Sequence, residues 1–252
     1  MFGNPAESSL HRTLALMTAQ AVTRSSVERS VLSTGMASVD RKLPNAGLAA
    51  EGLHEITGAA SVGFLIRLLA RLSGPVLWCV PCAEGRRLYG PGLVRAGLDP
   101  ARLTIAAGRT PKDILWAAEE GLKSRALAAV VLEPGAGLSL TASRRLHLAA
   151  ETGGGFGFVL SPAGGKAAAM PPSAARTRWS VDPQPGSTGQ KEAIWALRLL
   201  RCRGAVLSSA STAAAGGGGS IGEWRVTVGE KEFLKASEGL AENAPDRLSV
   251  AA

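Results

Sequence analysis

Short runs of apolar residues alternate with helical stripes along the middle of this chain. Strands are predicted at 53–57, 76–80, 103–106, 127–132 and 157–160, short stretches that are mostly apolar outside His54, Glu55, Thr57 and Thr104. Between them, residues 62–72, 91–96, 111–123 and 139–151 place apolar side chains at helical spacing and predict helices. Strands that read as continuous apolar runs are buried on both faces, so the pattern predicts a parallel sheet covered by helices on each side. Beyond Ser161 the texture changes. Residues 163–173 are mostly Gly, Ala and Pro with one lysine, a loop by composition. Shorter strands are predicted at 177–181, 195–202 and 224–228, as an antiparallel edge closing the sheet. Upstream, residues 10–22 form an amphipathic helix with Leu10, Leu14, Met17 and Val22 on one stripe.

These elements divide the chain into an N-terminal helix and linker (1–30), an α/β core (31–204), a flexible Gly/Ala/Ser insertion (205–222), an edge strand (223–229) and a tail expected to lack order (230–252). The insertion contains the run Gly216-Gly217-Gly218-Gly219. With 252 residues and 46% apolar side chains, the chain can bury a full core. No stretch approaches the ~20 apolar residues of a membrane-spanning helix and no signal peptide is evident, which points to a cytoplasmic protein. Three cysteines, Cys79, Cys82 and Cys202, are too few for a disulfide framework and suit a reducing compartment.

The chemistry concentrates where the strand at 53–57 runs into Gly58-Ala59-Ala60-Ser61-Val62-Gly63 and then a helix, the frame of a phosphate-binding loop. In a working loop of this kind Lys and Ser or Thr follow the second glycine, the ammonium meeting the phosphates and the hydroxyl ligating magnesium. Here Phe64 and Leu65 stand at those positions, and neither carries charge or binds metal. The frame is kept and the nucleotide chemistry is dropped, so no cofactor is expected. Phe64 has a structural role available, filling the hollow that phosphates would otherwise occupy.

Other constellations add little. Trp78-Cys79-Val80-Pro81-Cys82 has the spacing of a thiol-disulfide motif, but such a motif needs a helix N-terminus to lower the thiol pKa, and the phosphate-loop frame has no place in that fold. His11, His54 and His147 have no metal-ligand spacing, and no Gly-x-Ser-x-Gly elbow supports a serine nucleophile. No enzymatic activity is expected at any site.

The formal charge of +8 suits phosphate or nucleic-acid contact, and an arginine-rich composition without a special partner explains it equally. Lys166, Arg176 and Arg178 flank the Gly/Ala/Pro loop and are the candidates for gripping phosphates. With no aromatic side chain in the loop, such contact would be electrostatic. The alternative is an ordinary solvated basic surface. Trp179, Trp195 and Trp224 are expected in the core, the alternative being anchors for a partner.

The segments Leu32-Ser33-Thr34-Gly35-Met36-Ala37-Ser38-Val39-Asp40, Gly47-Leu48 and Gly52-Leu53-His54-Glu55-Ile56-Thr57-Gly58 resemble the opening of the RecA recombinase core. The likeness continues through Tyr89 to Pro100, Trp116 to Leu122 and Leu127 to Glu133, and covers most of Leu32 to Arg203. The departures from RecA make the chain more similar to the ImuA family of RecA-like, damage-inducible mutagenesis proteins, which are grouped with the division inhibitor SulA. The resemblance implies a RecA-like core, its mostly parallel sheet flanked by helices with an antiparallel edge. RecA's phosphate-loop lysine falls on Phe64 and its magnesium-binding threonine on Leu65. The acidic residue after the second strand falls near Pro81 or Cys82, the Walker-B carboxylate near Glu133, and the γ-phosphate-sensing glutamine on Ser161.

The resemblance further implies a non-catalytic accessory factor in SOS-induced mutagenesis and translesion DNA synthesis. Its implied partners are an ImuB-like Y-family polymerase homologue and an error-prone DnaE-type polymerase, with RecA and DNA as further candidates. RecA protomers associate through an N-terminal helix and strand, so the helix at 10–22 is a candidate docking element. An active RecA-like ATPase, a SulA-like division inhibitor and a thiol-disulfide protein acting through Cys79 and Cys82 are the alternatives.

Overall fold

Leu77 and Cys79 point to one side of their strand and Val76 and Trp78 to the other, and this period of two divides the interior into two packed layers on opposite faces of one sheet. The structure, a computed structural model, describes residues 31–82, 88–135, 137–161, 171–186, 192–204 and 220–229, together with the backbone strand Lys235–Glu238. The helix predicted at 10–22, Lys166 and most of the 205–222 insertion lie outside the described residues.

The chain opens with a two-stranded ribbon, β1 (Val31–Leu32) against β2 (Leu48–Ala49), with the short helix α1 (Ala37–Asp40) between them. Asp40 ties this entry together. Its carboxylate accepts from the Ser33 hydroxyl at 2.6 Å and from the Thr34 amide and hydroxyl at 2.9 and 2.7 Å. The main sheet is then built from β3 (Gly52–Thr57), β4 (Val76–Pro81), β5 (Leu103–Gly108), β6 (Ala129–Leu132), β7 (Phe156–Leu160), β8 (Thr177–Gln184), β9 (Ala193–Cys202), β10 (Gly222–Val228) and β11 (Lys235–Glu238). Among the described residues the order is β11-β10-β9-β8-β3-β7-β6-β4-β5.

Helices α2 (Ser61–Ala70) and α3 (Gly90–Arg95) contribute to the layer on one face, and α4 (Pro111–Lys123) and α5 (Leu140–Gly153) to the layer on the other. Local signals set the helix ends. Thr110 and Asp113 form a reciprocal capping box at the start of α4, with Pro111 in its first turn. Ser139 caps α5 through the amide of Ala142, and α5 ends on Gly154 at φ +74.

All six residues of β3 are buried because strands flank it on both sides and packed layers cover both faces. Two expectations need correction. The strand starting at Thr177 is not purely part of an antiparallel edge: it pairs parallel with β3 and antiparallel with β9, so the switch of direction falls one strand later. Within the tail at 230–252, where no order was expected, residues Lys235–Glu238 form β11, antiparallel to β10.

Candidate functional site

The phosphate-loop frame sits at the carboxyl end of β3, where open parallel sheets place their ligands. Gly58 turns the chain at φ +100, a conformation that side chains avoid. A Cβ there would also run into the Val181 carbonyl oxygen and stand 2.7 Å from Asp182 Oδ1. The neighbour is thus the strand β8, packed against the turn. The amide of Ala60 donates to the Val181 carbonyl at 3.0 Å, and the amide of Ala59 donates to Asp182 Oδ1 at 3.2 Å. The Ser180 hydroxyl donates to the other oxygen of Asp182 at 2.7 Å, which holds the carboxylate in place. Two amides of the first half of the loop are thus hydrogen-bonded to the chain's own carbonyl and carboxylate.

The two substituted positions extend this closure. Phe64 is 1% exposed and packs against Trp179 at 6.2 Å between centroids, and Trp179 packs in turn on Trp224 at 6.4 Å. Leu65 is fully buried. The three late tryptophans therefore belong to the interior, and Trp195 additionally carries the guanidinium of Arg67 over its ring at 5.2 Å. Gly63 keeps α2 close to that indole: a Cβ there would come within 3.1 Å of Trp195.

The carboxylate of Glu133, just past β6, accepts from the indole N–H of the buried Trp78 at 2.7 Å. It lies on the floor of an open groove of about 640 Å³ between α2 and the segment holding α3, lined also by Val62, Ile66, Arg67, Tyr89 and Leu93. The remaining sequence candidates are dispersed. Ser161 only continues the β7 ladder, its amide donating to Ile56. Pro81 ends β4, and Cys82 beside it is exposed.

Cys79 is in mid-strand rather than at a helix N-terminus, fully buried, and burial pushes its thiol up to about 12. A thiol held protonated in this way is a poor nucleophile, contrary to what a redox role requires. Among the described residues no group of three His, Cys, Asp or Glu side chains could hold a metal ion.

Of the candidate DNA-contacting residues, Lys166 lies outside the described residues, and Arg176 and Arg178 have different surroundings. Arg178 faces Glu55 across the parallel β3–β8 pair, its Nε donating to Glu55 Oε2 at 2.7 Å while another guanidinium nitrogen donates to the Pro171 carbonyl at 2.8 Å. Both charges are nearly buried, so this pair belongs to the architecture. Arg176 is half-exposed. Its stem crosses Gly52, and its guanidinium lies 3.9 Å from Glu151. Sequence reading missed Asp182, Glu55 and Trp78 as partners, because each meets its mate only through the order of strands in the sheet.

Among known proteins the chain is 37% identical over 197 residues to Protein ImuA of Caulobacter vibrioides in each of two strains; the match covers 69% of this chain and 79% of the relative. No family model matches. A crystal structure of the RadB recombinase superposes with a TM-score of 0.58 at 14% identity, covering 82% of this chain and all of that one. The last likeness establishes the fold as a RecA-like α/β core with a mostly parallel sheet and an antiparallel edge.

Proposed function

The chain belongs to the ImuA family, and from that premise we propose that it is a non-catalytic accessory factor in SOS-induced mutagenesis and translesion DNA synthesis. In this reading it works in the cytoplasm, in a complex with an ImuB-like Y-family polymerase homologue and an error-prone DnaE-type polymerase, with RecA as a further candidate partner. The observation that carries the non-catalytic part is the internal closure of the phosphate loop by Val181 and Asp182, with Phe64 and Leu65 buried behind it. A loop fastened to β8 by two of its amides, with Phe64 and Leu65 where a lysine and a hydroxyl would stand, offers little to stabilise a transferring phosphoryl group. Without nucleotide turnover, the RecA-like core contributes by holding partners together, a role that fold analogy supports.

The test is direct binding of the purified protein to its ImuB-like partner, with and without ATP, and with a variant lacking residues 230–252. Tight binding indifferent to ATP supports the proposal. Binding that requires ATP, or measurable ATP hydrolysis, returns the protein to the active ATPases, and absence of binding removes the polymerase partner. Among the described residues no helix is long and apolar enough to cross a membrane.

A further inference from the structure

β8 and β9 bring four arginines together on one face of the sheet. Arg178 pairs directly with Arg201 across the two antiparallel strands, and one step beyond the Thr177–Cys202 pair the Arg203 amide donates to the Arg176 carbonyl at 2.8 Å. Residues opposite each other in such a ladder, and residues two apart along either strand, point to the same side. The block stands on the α5 face, where Arg176 approaches Glu151. Like charges set directly opposite repel, so each guanidinium needs an acceptor to offset its neighbour.

The inner pair finds its acceptors within the chain. Arg178 holds Glu55 and the Pro171 carbonyl, and Arg201 donates to the Ser173 carbonyl at 2.9 Å. Burial lowers the Arg201 pKa, and the charges of Arg203 and Arg178 push it the same way against Glu55. The outer pair is less well served. Arg203 is exposed, and its guanidinium has no ion pair among the described residues. Arg176 has 37% of its side chain exposed, its Nε has no hydrogen-bond partner, and the Glu151 carboxylate, 3.9 Å away, also faces His147 at 3.4 Å.

We propose that Arg176 and Arg203 form a binding site for the phosphate backbone of a nucleic acid, carried on the Arg178 and Arg201 framework. The guanidinium fork suits phosphate because it donates two parallel bonds to it. An acidic protein segment fits less well, since protein interfaces are anchored by large apolar or aromatic side chains. None of the exposed large apolar side chains of the described residues belongs to this block. The sequence pointed to Arg176 and Arg178; the sheet exchanges Arg178, committed to Glu55, for Arg203. The site lies at the opposite end of β8 from Asp182 and the phosphate loop, and it does not rest on the polymerase partnership.

The experiment is fluorescence anisotropy of a labelled oligothymidylate of about 20 nucleotides with the full chain, over a range of salt. Arg203→Ala and, separately, Arg176→Ala should each weaken binding about threefold and lower the salt slope by about one, the effect of one lost phosphate contact. Arg109→Ala removes an exposed cation just past β5, at the other edge of the sheet, and should change neither. Arg203 is exposed, so its variant keeps the fold, which urea unfolding checks. Absence of binding, an unchanged salt slope in Arg203→Ala, or an equal effect of Arg109→Ala overturns the proposal. Equal or tighter binding of polyglutamate of the same charge also overturns it and assigns the arginines to an acidic protein. Displacement of the oligonucleotide by inorganic phosphate at equal phosphate concentration overturns it in favour of a free anion.

Discussion

Asp182 Oδ1 lies 3.2 Å from the backbone nitrogen of Ala59 and accepts a hydrogen bond from it, so a carboxylate of β8 sits against the first turn of the phosphate-loop frame. The loop is thereby fastened to the sheet strand next to its own. Asp182→Ala should lower stability by about 1 kcal/mol, the modest end expected for a charge-assisted bond with solvent access, and Gly58→Ala should cost more, since it strains φ +100 and collides with Val181. Urea unfolding of the two variants checks the order.

Phe64 is the plug behind that turn. Phe64→Ala should cost about 4 kcal/mol through the cavity it leaves against Trp179. Rebuilding the motif as Phe64→Lys with Leu65→Thr should destabilise the fold and yield no ATP turnover, because a buried ammonium has no phosphate to meet and Ala59 and Ala60 are already bonded. ATP hydrolysis by the double variant at a rate typical of RecA-like enzymes would refute this.

Glu55 and Arg178 separate stability from nucleic-acid contact. Arg178→Ala should cost about 3 kcal/mol by leaving the Glu55 carboxylate buried and unpaired, and any loss of DNA binding in that variant should track unfolding. Lys166→Ala and Arg176→Ala should leave unfolding nearly unchanged and, if the chain contacts DNA, reduce both its affinity and its salt dependence. Fluorescence anisotropy over a range of salt, paired with denaturation curves, distinguishes the two behaviours.

His54 makes stability depend on pH. Its Nε2 faces the Ala49 carbonyl at 2.9 Å, so that nitrogen carries the proton. Nδ1 must then accept from the Thr177 hydroxyl at 2.8 Å, and the Thr177 oxygen accepts from the Trp179 indole. Burial lowers the His54 pKa from 6.5 to about 4, helped by the cations Arg176 and His147 and opposed by the Ala49 bond. The unfolded chain therefore takes up a proton below pH 6.5 that the folded chain refuses until about pH 4. Stability is full above 6.5, falls through that window, and is lower by about 3 kcal/mol once both states are protonated. The difference between wild type and His54→Gln, measured by urea unfolding at pH 7, 5.5 and 4, should shrink by that amount.

How much of this was legible in the sequence follows from the range of each signal. The α4 bounds at Pro111 and Lys123 were legible from a helical stripe, and the structure adds the cause of its start, a capping box of Thr110 and Asp113 with Pro111 in the first turn, all within a few residues of one another. Strands β4, β6 and β7 of the parallel core announced themselves because burial on both faces leaves few polar positions in the run. Phe64 and Leu65, in place of lysine and threonine, were equally plain, since the glycine frame numbers its own positions.

The partners of these residues lie far away along the chain: Ala59 with Asp182, Glu55 with Arg178 and His54 with Thr177 are each separated by 123 residues. Three pairs share that separation because β3 and β8 run parallel and in fixed register, so one register choice sets them all. Sequence alone determined the strands β3 to β10 of the main sheet, which turn lost its lysine, and to which family the chain is similar. Only the tertiary structure decided that β8 lies beside β3, because strand order is set by the packing of both layers and the routing of the crossovers. That one adjacency closes the phosphate loop, buries Arg178 and holds His54 neutral.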